Sequence, residues 1–336
     1  MRKQRKEHMG TEIVLTVAVA AYNVEQFLEE TLNSLVLDCD GLEVLIIDDG
    51  SADNTAEIGK RYEETYPKGF RYIRKENRGW GSVMNMAVRL AKGKYFRQLD
   101  GDDFLKTENL PGFLAWLKDS DADLVVTPYE EVDDGSGKIV RIHSWENGEN
   151  PVTIQNLMER PEFGIWACTF RTQRLQDLGI RLLEHCYYTD VEYLITACLA
   201  VERIESWDRV VYRYRTGREG QSVSISGARK NYRQHLKVVW RLCGLFESAS
   251  EEKKRMVLTR TRLVILQQYR FFFYLSPVKS HKRELQKFDC ELKQRSEILY
   301  EIPGSPIRWM RRLHFFGYRC AAVWIVWRKR HRRKNV

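Results

Sequence analysis

The chain opens its ordered part with a run from Ile13 to Ala20 that is rich in β-branched residues and almost continuously apolar. That pattern predicts a central parallel strand covered on both faces. Asn23 is placed to cap a following helix, with Gln26 at its third position, and Phe27, Leu28, Thr31, Leu32 and Leu35 share one helical face. A second buried strand, Leu42 to Ile47, stops at Asp48-Asp49-Gly50-Ser51, and a helix starts near Asn54 with Glu57 as its capping partner. Phe70 to Arg74 reads as a third strand, Asn77 to Gly81 as a loop, Val83 to Ala91 as a helix and Tyr95 to Leu99 as a fourth strand. Strand and helix alternating in this way predict a doubly wound, mostly parallel sheet of α/β class.

The pattern then loosens. A helix from about Asn109 to Leu117 leads to a strand from Leu124 to Thr127, and Asp133 to Gly137 reads as a hairpin turn. A strand is expected from Ile165 to Phe170, a helix start at Thr189, and short strands at Arg203 to Trp207 and Val210 to Arg215. Beyond Ser226 the chain is helical, with periodic segments near Tyr232 to Phe246, Lys253 to Tyr274 and Lys282 to Leu299.

At 336 residues there is room for one large domain with an appendage, or for two. The net charge of +9 is concentrated at one end: ten Lys and Arg and no Asp or Glu lie between Ser305 and Val336. A neutral body with a basic end argues against a nucleic-acid binder, and the tail holds Trp324 and Trp327 but nothing else like a recognition module. The seven cysteines lack C-x-x-C spacing and read as reduced core residues, and the seven histidines are scattered without an H-E-x-x-H, so a metal, if bound, is held by oxygen. Arg2, Lys3, Arg5 and Lys6 before the first apolar run imitate a signal peptide, but the run is short and fits better as a strand.

In a doubly wound sheet, ligands gather at the carboxyl ends of the strands. Three polar clusters occupy those ends: Tyr22-Asn23, Asp48 to Ser51, and Asp100-Gly101-Asp102-Asp103. Three carboxylates within four residues repel one another, so the last cluster is either a solvated acidic turn or a site for a hard divalent cation.

Taken together, Val19-Ala20-Ala21-Tyr22-Asn23, Ile46 to Thr55, Asn77-Arg78-Gly79, Leu99 to Asp103 and Tyr188 to Tyr193 resemble the family 2 glycosyltransferases, inverting enzymes of the GT-A fold. The likeness covers about residues 13 to 225 and departs where Ala20 replaces a usual proline. It implies a Rossmann-like, mostly parallel catalytic domain over 13–225, after a basic tail at 1–12. A helical region at 226–304 and a basic, aromatic amphipathic segment at 305–336 lie outside it.

The resemblance implies a UDP-sugar donor, with Asp49 accepting the uracil N–H, Ala20, Ala21 and Tyr22 lining the base pocket, and Asn77 helping to hold the base. Arg78 reaches a phosphate or the acidic loop. Asp102 binds Mn²⁺ or Mg²⁺ between the two phosphates, while Asp100 faces the ribose or the metal. By the same resemblance Asp190 would be the general base for the acceptor hydroxyl, with Glu192 its neighbouring candidate, and Arg218 with Gln221 or Ser222 would clamp the diphosphate from a loop. The expected reaction is hexosyl transfer to a glycan, lipid-linked or polyol-phosphate acceptor, with a non-catalytic nucleotide-sugar-binding protein on the same fold as the alternative.

Phe315 to Trp327 is too short to span a bilayer, which needs about 20 apolar residues, and suits an interfacial helix on an anionic membrane. The expected location is cytoplasmic, peripheral on the inner membrane face. The helical region is open to an acceptor, a membrane or another copy of the chain as its partner.

Overall fold

A computed structural model describes residues 12–145, 152–217, 225–302 and 305–332. The chain divides into two compact units. The first takes Met1–Val152, Gly164–His185 and Ala200–Gly217; the second takes Thr153–Phe163, Cys186–Leu199 and Arg218–Val336.

All strands of the described residues lie in the first unit. They are β1 (Leu15–Ala21), β2 (Leu42–Asp48), β3 (Phe70–Arg74), β4 (Tyr95–Asp100), β5 (Phe104–Leu105), β6 (Leu124–Val126), β7 (Tyr129–Asp133), β8 (Ile139–His143), β9 (Cys168–Arg171), β10 (Ile204–Ser206) and β11 (Tyr212–Thr216). Seven of them form a sheet in the order β10-β6-β9-β4-β1-β2-β3. The pairs β4–β1, β1–β2, β2–β3 and β6–β10 are parallel, and β9 alone runs antiparallel between β4 and β6. The smaller sheet, β5-β11-β7-β8, contains the expected hairpin, whose turn is held by the Ser136 amide donating to Asp133 Oδ1 at 2.9 Å.

The apolar runs of β1 and β2 are buried along nearly their whole length because helices cover both faces. In this chain order the helices are α1 (Leu28–Asn33), α2 (Thr55–Thr65), α3 (Trp80–Leu90), α4 (Leu110–Asp119), α5 (Ile154–Glu159), α6 (Thr172–Asp177) and α7 (Thr189–Leu199). They continue with α8 (Ile225–Ser248), α9 (Glu251–Tyr274), α10 (Lys279–Arg295), α11 (Glu297–Tyr300), α12 (Ile307–Arg312) and α13 (Tyr318–Arg332). Of these, α5 and α7 to α13 make the second unit, where Phe272 and Phe288 stand 5.6 Å apart between α9 and α10.

Several expectations need correction. Asn23 does not cap α1, which begins five residues later after Phe27 with no side-chain cap. Asn23 adopts a positive φ of 51° and accepts the Ala52 amide at 2.9 Å, so it staples the β1 loop to the β2 loop. The start of α2 is likewise not a capping box: Asp53 accepts the Thr55 amide at 3.0 Å and the Glu25 amide at 3.1 Å. Four cysteines are core residues, but Cys39, Cys290 and Cys320 are exposed.

Candidate functional site

In the first unit, β1, β2 and β4 end at one level. Ala21 is the register partner of Asp48 on β2, and Ala20 that of Asp100 on β4. The loops leaving those ends are tied together through backbone: Asp49 N–H donates to the Ala21 carbonyl at 2.9 Å, and Gly101 N–H to the Ala20 carbonyl at 2.9 Å. A Cβ at Gly101 would stand 2.8 Å from that same carbonyl, so only glycine lets the acidic loop lie this close to β1. The clusters read from the sequence are therefore brought to one sheet edge, with Tyr22 exposed above it at 50%.

Asp48 and Asp49 hold the second loop from within. Asp48 is fully buried, accepting the Ser51 amide at 2.8 Å and the Tyr72 hydroxyl at 2.7 Å. Burial and this bond raise the Tyr72 phenol above its ordinary value. Asp49 Oδ1 takes Lys75 Nζ and the Arg78 amide at 3.0 Å, and Oδ2 takes the Gly79 amide at 2.7 Å. A carboxylate offers about four lone-pair sites, and these three donors take three of them on a buried Asp49. Asn77 is exposed beside it, and Arg78 is half-exposed, its guanidinium paired with Glu184 at 2.7 Å.

The acidic loop separates its carboxylates by environment. Asp103 is buried and accepts the Tyr212 hydroxyl at 2.6 Å and the Arg215 amide at 2.7 Å. Burial, then the charges of Asp102 and Asp100, push its carboxyl well above the usual range. Asp100 accepts the Trp80 indole N–H at 2.9 Å, while Asp102 is only half-buried and its backbone carbonyl receives Arg215 Nε at 2.8 Å. Asp103 thus anchors the loop, leaving Asp100 and Asp102 as the candidate ligands. Two carboxylates suit Mg²⁺ or Mn²⁺, which take the remaining oxygens from water and substrate phosphate. Among the described residues no group of three or more His, Cys, Asp or Glu converges into an all-protein metal cage.

Lys75 and Tyr212 carry no role in the sequence reading, and Arg215 enters it only where the strand from Val210 ends. Arg215 is buried, spans to Asp134 at 2.9 Å and Glu30 at 2.7 Å, and stacks its guanidinium over Phe27 and Phe104. Its one sequence signal is an arginine amid the alternation of β11. A cavity of about 810 Å³ in the same unit, near Asp123, Arg171 and Arg174, lies where β4 begins rather than where it ends. It belongs to the other edge of the sheet.

The second unit carries Asp190, the second residue of α7. Tyr188, just before the helix, has a positive φ of 68°, with its ring against His235 and Phe271 at 5.1 and 5.5 Å. Thr189 Oγ1 is buried without a hydrogen-bond partner, so the threonine hydroxyl does not cap the helix. Asp190 reaches solvent, yet the surrounding protein desolvates it and raises its carboxyl, offset in part by the Val191 and Asp190 amides and the Arg260 charge. Glu192 is fully buried and bound to Arg241 at 3.0 Å, which removes it as a competing base. Arg218, Gln221 and Ser222 lie outside the described residues.

A family model described as glycosyl transferase family 2 matches residues 16–178. A Mycoplasma pneumoniae protein named uncharacterized glycosyltransferase MG060 homolog is 30% identical over 231 residues, 67% of this chain and 76% of that one. The minor teichoic acid biosynthesis protein GgaB of Bacillus subtilis is 25% identical over 229 residues, 66% of this chain but only 25% of its own length. Among solved structures, S. aureus TarS 1-349 in complex with UDP-GlcNAc superposes with a TM-score of 0.61 at 21% identity, covering 93% of this chain and 89% of that one. That likeness speaks for the fold.

Proposed function

This chain belongs to glycosyl transferase family 2 and is a glycosyltransferase of GT-A fold, and from that premise we propose that it moves a sugar from a UDP-linked donor to a hydroxyl of a polysaccharide-type acceptor, with inversion. The observation that carries this reading is the shared level of Ala20, Asp48 and Asp100 at the ends of three adjacent strands. The relatives support the choice of substrate class: TarS is described in complex with UDP-GlcNAc, and GgaB is named for teichoic acid synthesis.

In this reading the uracil N–H donates to the remaining acceptor site of Asp49, and Ala20, Ala21, Tyr22 and Asn77 bound the base. Asp100 and Asp102 would hold a divalent cation, which when bound offsets the charge of the departing diphosphate. Arg78, released from Glu184, would reach a phosphate or the acidic loop, and Arg218 with Gln221 or Ser222 would clamp the diphosphate. Asp190 takes the proton of the acceptor hydroxyl as its oxygen bonds to the anomeric carbon and the bond from that carbon to the diphosphate oxygen breaks. The acceptor is a glycan, wall polymer or lipid-linked chain, and the work is done at the inner face of a membrane.

Release of nucleoside diphosphate across a panel of nucleotide sugars, with and without Mn²⁺, tests the reading. UDP-sugars are expected to turn over, and Asp102→Asn to abolish turnover while leaving the fold intact. Equal turnover by that variant would overturn the assignment.

A further inference from the structure

Helix α13 is apolar on two opposite sides. Tyr318 and Ala322 are buried on one, with Tyr318 donating its hydroxyl to the Phe272 carbonyl at 2.8 Å and so fixing that side against α9. At about 100° per residue, Cys320, Val323, Trp324 and Trp327 fall within roughly one 100° arc on the other side. That second stripe faces solvent: Val323 is 63% exposed, Trp324 53% and Trp327 56%. Arg319 and Arg328 flank it, and Arg328 lies 5.2 Å over the Trp324 ring. The short helix α12 and the turn that follows it add Trp309, Leu313 and Phe316, exposed at 66, 56 and 79%. Contiguous exposed apolar side chains of this size mark an interaction surface.

Beside them lies a cavity of about 560 Å³ between α10 and α12. Asp289 in its wall is fully engaged, by Tyr269 at 2.6 Å, Tyr300 at 3.2 Å and Arg311 at 2.8 Å. The remaining charged lining is Lys293, Arg308 and Arg312 against Glu301, three cations to one anion. Among the described residues Asp289 pairs with Arg311 at 2.8 Å, and no ion pair is found for Lys293, Arg308 or Arg312. Arg312 stands 5.1 Å over the ring of Trp309, so the helix that supplies two of the cavity's three cations also carries the exposed tryptophan.

We propose that residues 305–328 form a seat for an anionic lipid bilayer, in which the apolar stripe enters the headgroup boundary and the Lys293–Arg308–Arg312 cavity receives a lipid phosphate. Charge complementarity selects this occupant. The segment from Ser305 onward has no Asp or Glu, and tryptophan beside arginine is the composition that settles at an anionic interface. Among the described residues no helix is long and apolar enough to cross a membrane, so the contact lies on the surface. This goes beyond sugar transfer, and donor turnover measured without vesicles reports on that reading separately.

Flotation of the full chain with vesicles of phosphatidylcholine alone, or mixed with phosphatidylglycerol, tests the seat. Binding is expected to the mixed vesicles only, and to weaken with salt. The double variants Trp324→Ser/Trp327→Ser, which removes apolar area, and Arg308→Gln/Arg312→Gln, which removes two basic contacts, should each lose about tenfold or more in affinity. Donor turnover in solution should be unchanged in both. If the tryptophan variant fails to fold, the two exposed arginines carry the test. Equal binding to neutral vesicles or unaltered binding by the variants would overturn the proposal. So would displacement from vesicles by soluble inorganic phosphate, which marks a free-phosphate site. A dimer in light scattering that the tryptophan changes dissociate would show that a second copy covers the stripe, with the same result.

Discussion

The Tyr212 hydroxyl donates to Asp103 Oδ2 at 2.6 Å, joining β11 to the acidic loop across 109 residues of sequence. The same oxygen accepts the Asp100 amide at 3.3 Å, so a single phenol fixes both ends of the Asp-Gly-Asp-Asp turn. Tyr212 is fully buried, and the charges of Asp103 and Asp100 add to burial in pushing its phenol upward. It therefore stays a donor at any working pH.

Tyr212→Phe removes that donor without changing the ring. Leaving a buried acceptor short of its partner costs about 1–3 kcal/mol, and Asp103 would keep only its bond from the Arg215 amide. Thermal unfolding should report destabilisation in that range. Donor affinity should fall too, because Asp100 and Asp102 lose their fixed spacing; isothermal titration with a UDP-sugar and Mn²⁺ measures it.

Gly101→Ala tests the close approach of the loop to β1. Its new Cβ would meet the Ala20 carbonyl at 2.8 Å, Val24 Cγ2 at 3.1 Å and Ala21 Cα at 3.3 Å. Backbone is on two of those three sides, so the loop itself must shift. A displacement of about 1 Å in positioning groups costs on the order of 10²-fold in rate. The expected result is a drop of that size in kcat/KM, with secondary structure by circular dichroism retained.

Much of the frame was legible because it rests on local pattern. The apolar runs of β1 and β2, the helical faces between them and the Asp-rich stops at their ends follow from periodicity alone. What stayed hidden are the long-range ties. Nothing in the spacing of Asn23 distinguishes a helix cap from a staple to Ala52, since both use the same side-chain oxygen. Tyr212 and Arg215 look like ordinary alternating strand residues until β11 is laid beside β5 and β7. The sequence marks Asp49 as a ligand contact, and only the fold shows its tie to Lys75, Arg78 and Gly79.

His235 makes the second unit sensitive to acid. It is buried on α8, with Nδ1 donating to Gln268 Oε1 at 2.7 Å, and burial lowers its pKa to about 4. In the unfolded chain a histidine titrates near 6.5. Between those values the unfolded state binds the extra proton, so stability is present above about pH 6.5 and falls as pH drops toward 4, by up to about 3 kcal/mol. Denaturant titrations across that window should show the decline. His235→Asn keeps a donor toward Gln268 but cannot take the proton, and should flatten it.

Asp190 is the sharpest test of the proposed chemistry. A base works only when ionised, and desolvation raises this carboxyl. The acid limb of kcat/KM should therefore fall at a pH above the usual aspartate value of about 3.9. Asp190→Asn cannot accept the acceptor's proton, so kcat should drop by about 10²–10⁴-fold while donor binding holds. Glu192→Gln serves as the contrast: it breaks the buried pair with Arg241, so it should lower stability and leave the pH limb where it was. An unchanged kcat for Asp190→Asn would place the base elsewhere.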